Sequence, residues 1–152
     1  MTYEEAQKAM IARVPVICQG NTYKAISGFI FRKHPGGRGY ITSVELLDKC
    51  CRSITLARLD RTELASGTPD ELPEVYPPNE DGLSPDEARA KLALQTGRCF
   101  DYQGEPHFVS AIILRNWQEV DYWMYVELTR CRDGKVIEDW VRCVPPETGN
   151  QK

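Results

Sequence analysis

The chain has 152 residues, 41% of them apolar and 27% charged, with a net charge of −3. That composition is globular rather than disordered, and no apolar run approaches the roughly 18 residues that span a bilayer. The acidic opening Met-Thr-Tyr-Glu-Glu lacks the layout of a signal peptide, so the expected location is the cytoplasm, with the six cysteines reduced.

Thr2 and Glu5 predict a capping box at the start of a helix, with Ala6, Met10 and Tyr3 on one face. Pro15 ends it. Val14–Cys18 reads as a short strand and Gln19-Gly20-Asn21 as a turn, with Gly20 or Asn21 at positive φ. Tyr23–Arg32 is the second predicted strand. Lys33–Gly39 is a glycine-rich loop, and Tyr40–Asp48 is the third strand. Alternation places Tyr40, Thr42, Val44 and Leu46 on one face and Ile41, Ser43, Glu45 and Leu47 on the other. Lys49–Arg52 turns the chain into a fourth strand, Ser53–Leu59.

Residues 66–83 read as a Pro-rich acidic linker, in which Leu72, Val75 and Tyr76 are candidates to pin it to a surface. A second helix start follows: Ser84 as cap, Pro85 in the first turn and Glu87 closing the box. Ala88, Leu92 and Gln95 share one side of this helix, and Gly97 ends it. Strands are then expected at Arg98–Asp101, His107–Arg115, Tyr122–Arg130 and Lys135–Val144. A two-residue turn, Asp133-Gly134, joins the last two.

This second series echoes the first. Tyr122–Leu128, Tyr-Trp-Met-Tyr-Val-Glu-Leu, repeats Tyr40–Leu46, Tyr-Ile-Thr-Ser-Val-Glu-Leu. Gln103-Gly104 repeats Gln19-Gly20, and Ser110 and Arg115 align with Ser27 and Arg32. The expected fold is α+β, mostly β: a tandem repeat of two small SH3-like barrels or curled antiparallel sheets, each preceded by one helix. Residues 1–65 form the first unit, 84–147 the second, and 148–152 a tail. The halves differ in sign. Residues 1–65 carry ten Lys and Arg against six Asp and Glu, whereas the linker holds five acids and no base.

No metal or catalytic signature stands out. There is no Cys-x-x-Cys pair, although Cys99, His107, Cys131 and Cys143 all lie in the second half and are the set to watch for convergence on a metal. Otherwise they read as buried or half-buried strand cysteines. Glu45 and Glu127 are repeat-equivalents, which suits a carboxylate pair. The plainer reading is a solvent-facing glutamate opposite a cross-strand arginine such as Arg58. The expectation is a non-enzymatic protein with no small-molecule cofactor, no metal and no membrane partner. Two surfaces are candidates. Trp123 and Tyr125 fall on the outward face, with Trp117 and Trp140 near them, a set suited to anchoring a protein partner. Lys24, Arg32, Lys33, His34 and Arg38 form a basic loop suited to nucleic acid or an acidic partner.

Glu5-Ala6, Val14–Val16, Gly20–Tyr23, Ile26–Arg32, Val44–Lys49 and Ser53–Ala57 together resemble short uncharacterised proteins of phages and conjugative elements of Gram-positive gut bacteria. The second half shares only Gln103-Gly104, Ser110 and Val126–Leu128 with that pattern. The resemblance implies a mobile-element accessory, and small proteins from that setting include inhibitors of host defence nucleases such as anti-CRISPR proteins.

Overall fold

A computed structural model describes residues 1–36, 39–74, 85–115 and 123–146. Among the described residues the chain is α+β and mostly β, with two helices and antiparallel sheets that do not close. Among the described residues no helix is long and apolar enough to cross a membrane. The chain divides into two compact units whose borders are not those of the sequence halves. The first unit holds Met1–Ile30, Thr42–Pro78 and Leu114–Trp123. The second holds Phe31–Ile41, Asn79–Ile113 and Met124–Lys152. Each unit therefore includes the end of a strand from the other half of the sequence.

The first unit opens with α1 (Tyr3–Ala12). Thr2 accepts from the Glu5 N–H at 3.1 Å and Glu5 accepts from the Thr2 N–H at 2.8 Å, the capping box read from the sequence. Arg13 closes the helix in the left-handed region, φ 56°, and donates back to the Ala9 and Met10 carbonyls. β1 (Val16–Cys18) and β2 (Asn21–Tyr23) form a hairpin about Gln19-Gly20, at φ 51° and 80°. Gln19, not Asn21, shares the positive φ with Gly20, as a type I′ turn needs at both central positions. β1 also pairs with β6 (Thr62–Leu64), so the sheet runs β2-β1-β6. The expected strand Tyr23–Arg32 starts two residues later, as β3 (Ala25–Lys33), next to β4 (Tyr40–Leu47). β5 (Ile54–Arg58) pairs antiparallel with β4, Leu46 opposite Thr55.

Ala6, Ala9 and Met10 of α1 are buried together with Val16, Ile26, Phe29, Ile30, Val44 and Leu46. Tyr3 meets the Phe29 ring edge to face at 5.0 Å. Val44 and Leu46 match the core parity read from the alternation. Tyr40 does not: it is 40% exposed at the first position of β4.

The second unit repeats the order helix, hairpin, long strands. Its elements are α2 (Pro85–Thr96), β7 (Cys99–Tyr102), β8 (Glu105–Arg115, as far as Ile113), β9 (Trp123–Arg130, from Met124) and β10 (Val136–Trp140), with sheet order β10-β9-β8 and β7 on β8. Gln103 and Gly104 again take positive φ, 53° and 84°. α2 buries Ala90, Ala93 and Leu94. The side carrying Ala88, Leu92 and Gln95 is the exposed one, because Phe100, Val109, Ile112, Val126, Leu128 and Val144 lie against the other. Its expected cap, Ser84, lies outside the described residues. The hairpin turn between β9 and β10 is longer than the expected two residues. The Arg130 N–H donates to the Lys135 carbonyl and the Gly134 N–H to the Arg130 carbonyl, enclosing residues 131–134. β10 stops at Trp140 and a 3-10 turn, Val141–Cys143, replaces the rest of the expected strand. In the expected linker, Pro69–Glu71 is a 3-10 turn, and Val75 and Tyr76 lie outside the described residues.

Gly28 sits at a close approach in the first unit. A Cβ there would lie 2.7 Å from Glu45 Oε1, 2.7 Å from the Leu114 carbonyl oxygen and 3.0 Å from Arg115 Cγ. Backbone atoms cannot give way as side-chain ends do. Gly28→Ala is therefore expected to cost about 2–3 kcal/mol, read as a lower urea midpoint with unchanged m-value.

Candidate functional site

The two repeat-equivalent glutamates are held by the two repeat-equivalent arginines, with the partners exchanged. In the first unit Arg115 donates to Glu45 through Nε to Oε1 at 2.9 Å and through a terminal nitrogen to Oε2 at 2.7 Å. The Glu45 side chain is 5% exposed and that of Arg115 is 18% exposed. Glu45 is thus a buried, bidentate ion-pair partner and not the solvent-facing residue expected. Arg58, offered above as its partner, pairs with Asp60. In the second unit Arg32 donates to Glu127 at 2.8 Å. Ser110 Oγ donates to the other Glu127 oxygen at 2.6 Å and accepts from Thr129 Oγ1 at 2.8 Å. This second pair is wetter, with Arg32 42% exposed.

Both glutamates are consumed by these bonds. A carboxylate gripped by a guanidinium and a hydroxyl is a poor general base, because its lone pairs are already engaged. The geometry supports a structural role.

The basic loop is dispersed. Arg32 is committed to Glu127, and Lys33 Nζ donates to the Gln95 carbonyl at the end of α2 at 3.1 Å. His34 is exposed and its Nδ1 accepts from the Gly36 N–H at 3.0 Å. Lys24 sits 3.1 Å from Cys51 Sγ, in the first unit. Arg38 lies outside the described residues.

The aromatic set divides as well. Tyr125 and Trp140 are register partners on β9 and β10, and their rings stack at 4.6 Å and 29°. Trp140 is 38% exposed, and Val136, on the same face of β10, is 53% exposed. The equivalent pair in the first unit is Ser43 opposite Arg58. Trp123 is half-buried and belongs to the first unit, and Trp117 lies outside the described residues.

The cysteines are mostly at the surface. Cys18 is buried and Cys143 half-buried, but Cys50, Cys51, Cys99 and Cys131 are exposed. The buried-cysteine expectation fails for Cys99, which starts β7, and for Cys131, which lies just past the end of β9. Cys99 and Cys131 do meet, Sγ to Sγ at 3.4 Å. His107 is buried, with Nδ1 against the Glu105 carbonyl at 2.9 Å. Among the described residues no three His, Cys, Asp or Glu side chains gather as a metal site.

One polar contact went unread in the sequence. Tyr102 donates to Asp139 at 2.5 Å, tying β7 to β10, and this bond pushes the phenol up to about 12. Cys143 is pushed up to about 11 by its burial and then by Asp139. Compared with known proteins, the chain matches no family model, no curated protein and no solved structure.

Two outcomes follow from this geometry. Arg115→Ala strands a buried carboxylate and is expected to cost about 3–5 kcal/mol, whereas Arg32→Ala, at a half-exposed pair, costs on the order of 1 kcal/mol, both by urea unfolding. Tyr102 binds its proton more tightly folded than unfolded. Its stabilising contribution is full below the ordinary phenol value near 10 and is lost as pH rises toward 12. Tyr102→Phe is therefore expected to flatten the fall in Tm across that range.

Proposed function

We propose that this is a non-enzymatic binding protein that docks onto a protein partner through the β9–β10 hairpin of the second unit. The observation that carries this reading is Trp140, 38% exposed and stacked on Tyr125 with Val136 on the same face. Trp and Tyr are the side chains that most often anchor protein interfaces, since they offer large amphipathic area with few rotatable bonds. The hairpin beneath is stiff. Arg130 bonds both Asp133 oxygens, at 2.9 and 2.6 Å, and reaches Glu105 at 3.1 Å, which holds the Asp133 carboxyl well below its ordinary range. A preorganised anchor loses little freedom on binding.

We read the two halves of the sequence as copies of one helix-and-sheet unit, SH3-like in size, in which the second copy has taken up the aromatic pair. The setting is cytoplasmic. The resemblance to mobile-element proteins points to a host defence nuclease as the partner. Nucleic acid is the weaker reading, since Arg32 already neutralises Glu127.

The test is capture of the partner from host lysate by tagged protein, with the bound species identified by mass spectrometry. Trp140→Ala and Tyr125→Ala are each expected to weaken capture by roughly tenfold or more while the far-UV circular dichroism stays unchanged. Capture at wild-type strength with only a lowered Tm would remove the anchor.

A further inference from the structure

We propose that Cys99 and Cys131 are a closable dithiol: a surface pair that exchanges with a small-molecule disulfide and locks into an internal disulfide. The inference does not depend on the docking reading above.

The sulfur atoms stand 3.4 Å apart, and both residues are exposed. Backbone hydrogen bonds hold each one in place. Cys99 begins β7 and is paired with Phe108 of β8. Cys131 opens the turn after β9, and its N–H donates to the Pro106 carbonyl of β8 at 3.0 Å. The two thiols therefore flank the same stretch of β8 and need only a short closure to bond. The other cysteines lack these features. Cys18 is buried, and the half-buried Cys143 thiol is held protonated by its surroundings. Cys50 and Cys51 are adjacent in the chain. Their Cα atoms are about 3.8 Å apart across the trans peptide, short of the roughly 4.4–6.8 Å that bridges favour.

The exchange balances without any bound group. One thiol loses its proton, and the thiolate attacks a sulfur of the small disulfide, expelling one small thiolate and leaving a mixed disulfide. The neighbouring thiolate then attacks the protein sulfur of that mixed disulfide and expels the second small thiol. Two cysteines are oxidised by two electrons in all, and the small disulfide is reduced to two thiols. The contact with Cys99 raises the Cys131 thiol above its ordinary range, and either sulfur of the pair can make the first attack while the other resolves. The bond would tie the start of β7 to the turn of the β9–β10 hairpin and close a loop of about 33 residues, a length at which a cross-link restricts the unfolded chain substantially.

The test uses the full chain, fully reduced and then exposed to oxidised glutathione in mildly alkaline buffer. The expected product yields a Cys99–Cys131 linked peptide on digestion, two hydrogens lighter than its reduced parts and with no glutathione on either of those two cysteines. Its Tm is higher by roughly 5–15 °C, and reductant reverses the change. Cys99→Ser and Cys131→Ser, at exposed positions, are each expected to stop at a stable glutathione adduct on the remaining cysteine. Wild-type protein that accumulates glutathione at Cys99 or Cys131 without closing, or that bridges through Cys50 or Cys51, overturns the proposal.

Discussion

A carboxylate cannot be buried alone, and the Glu45–Arg115 pair is where this chain meets that constraint. Glu45 lies 5% exposed in the first unit, yet the guanidinium that neutralises it comes from the far end of β8. The first unit is therefore incomplete until Leu114 and Arg115 arrive, and Gly28 leaves the space that lets them approach. The second unit takes Arg32 in the same way, from the far end of β3. The exchange also limits register. A slip of one residue in β3 or β8 would turn its arginine to the opposite face and leave a glutamate unpaired.

The repeated motif Tyr-x-x-x-Val-Glu-Leu can be divided by what each position does. Val44, Leu46, Val126 and Leu128 are fully buried and report the two cores. Glu45 and Glu127 are the acidic halves of the exchanged pairs. Tyr40 is half outside, so its identity with Tyr122 is not explained by a shared core. Where the two halves of the sequence differ, the surface differs in kind. Leu47 and Ile54 line a cavity of about 200 Å³ with Glu45 and Arg115 in the first unit. In the second, Thr129 and Ser110 extend a polar network onto Glu127. Ser43 opposite Arg58 becomes Tyr125 stacked on Trp140. The shared Val, Glu and Leu positions thus account for folding, and the positions that differ supply the surface on which the proposed function rests.

The basic loop illustrates how a charge count misleads. Lys24, Arg32 and Lys33 look like one positive tip in the linear chain. Folded, Arg32 neutralises Glu127, Lys33 satisfies a carbonyl at the end of α2, and Lys24 belongs to the other unit. Helix C-termini leave carbonyls without partners, and a nearby lysine is a common way to satisfy one. The cysteines mislead in the opposite direction. Their residue type suggests burial, but four of them are at the surface, three in turns and Cys99 at the start of β7, where it meets Cys131.

Much of the architecture was legible from local chemistry. The Thr2–Glu5 capping box, the turn at Gly20 and the Val and Leu parity of β4 and β9 follow from propensities and alternation acting over a few residues. The α+β, mostly β class follows from these. What the sequence could not disclose depends on contacts between residues far apart in the chain. The short strand β6 is recruited only because β1 offers it an edge. The buried side of α2 is chosen by Val109, Val126 and Leu128 beneath it, not by its own weak pattern. Above all, the sequence shows two glutamates and two arginines at matching places, but only the tertiary structure decides which arginine answers which glutamate. Local patterning carries no information about a partner brought by strand pairing, and the desolvation cost of a buried charge is felt only once the chain has closed around it.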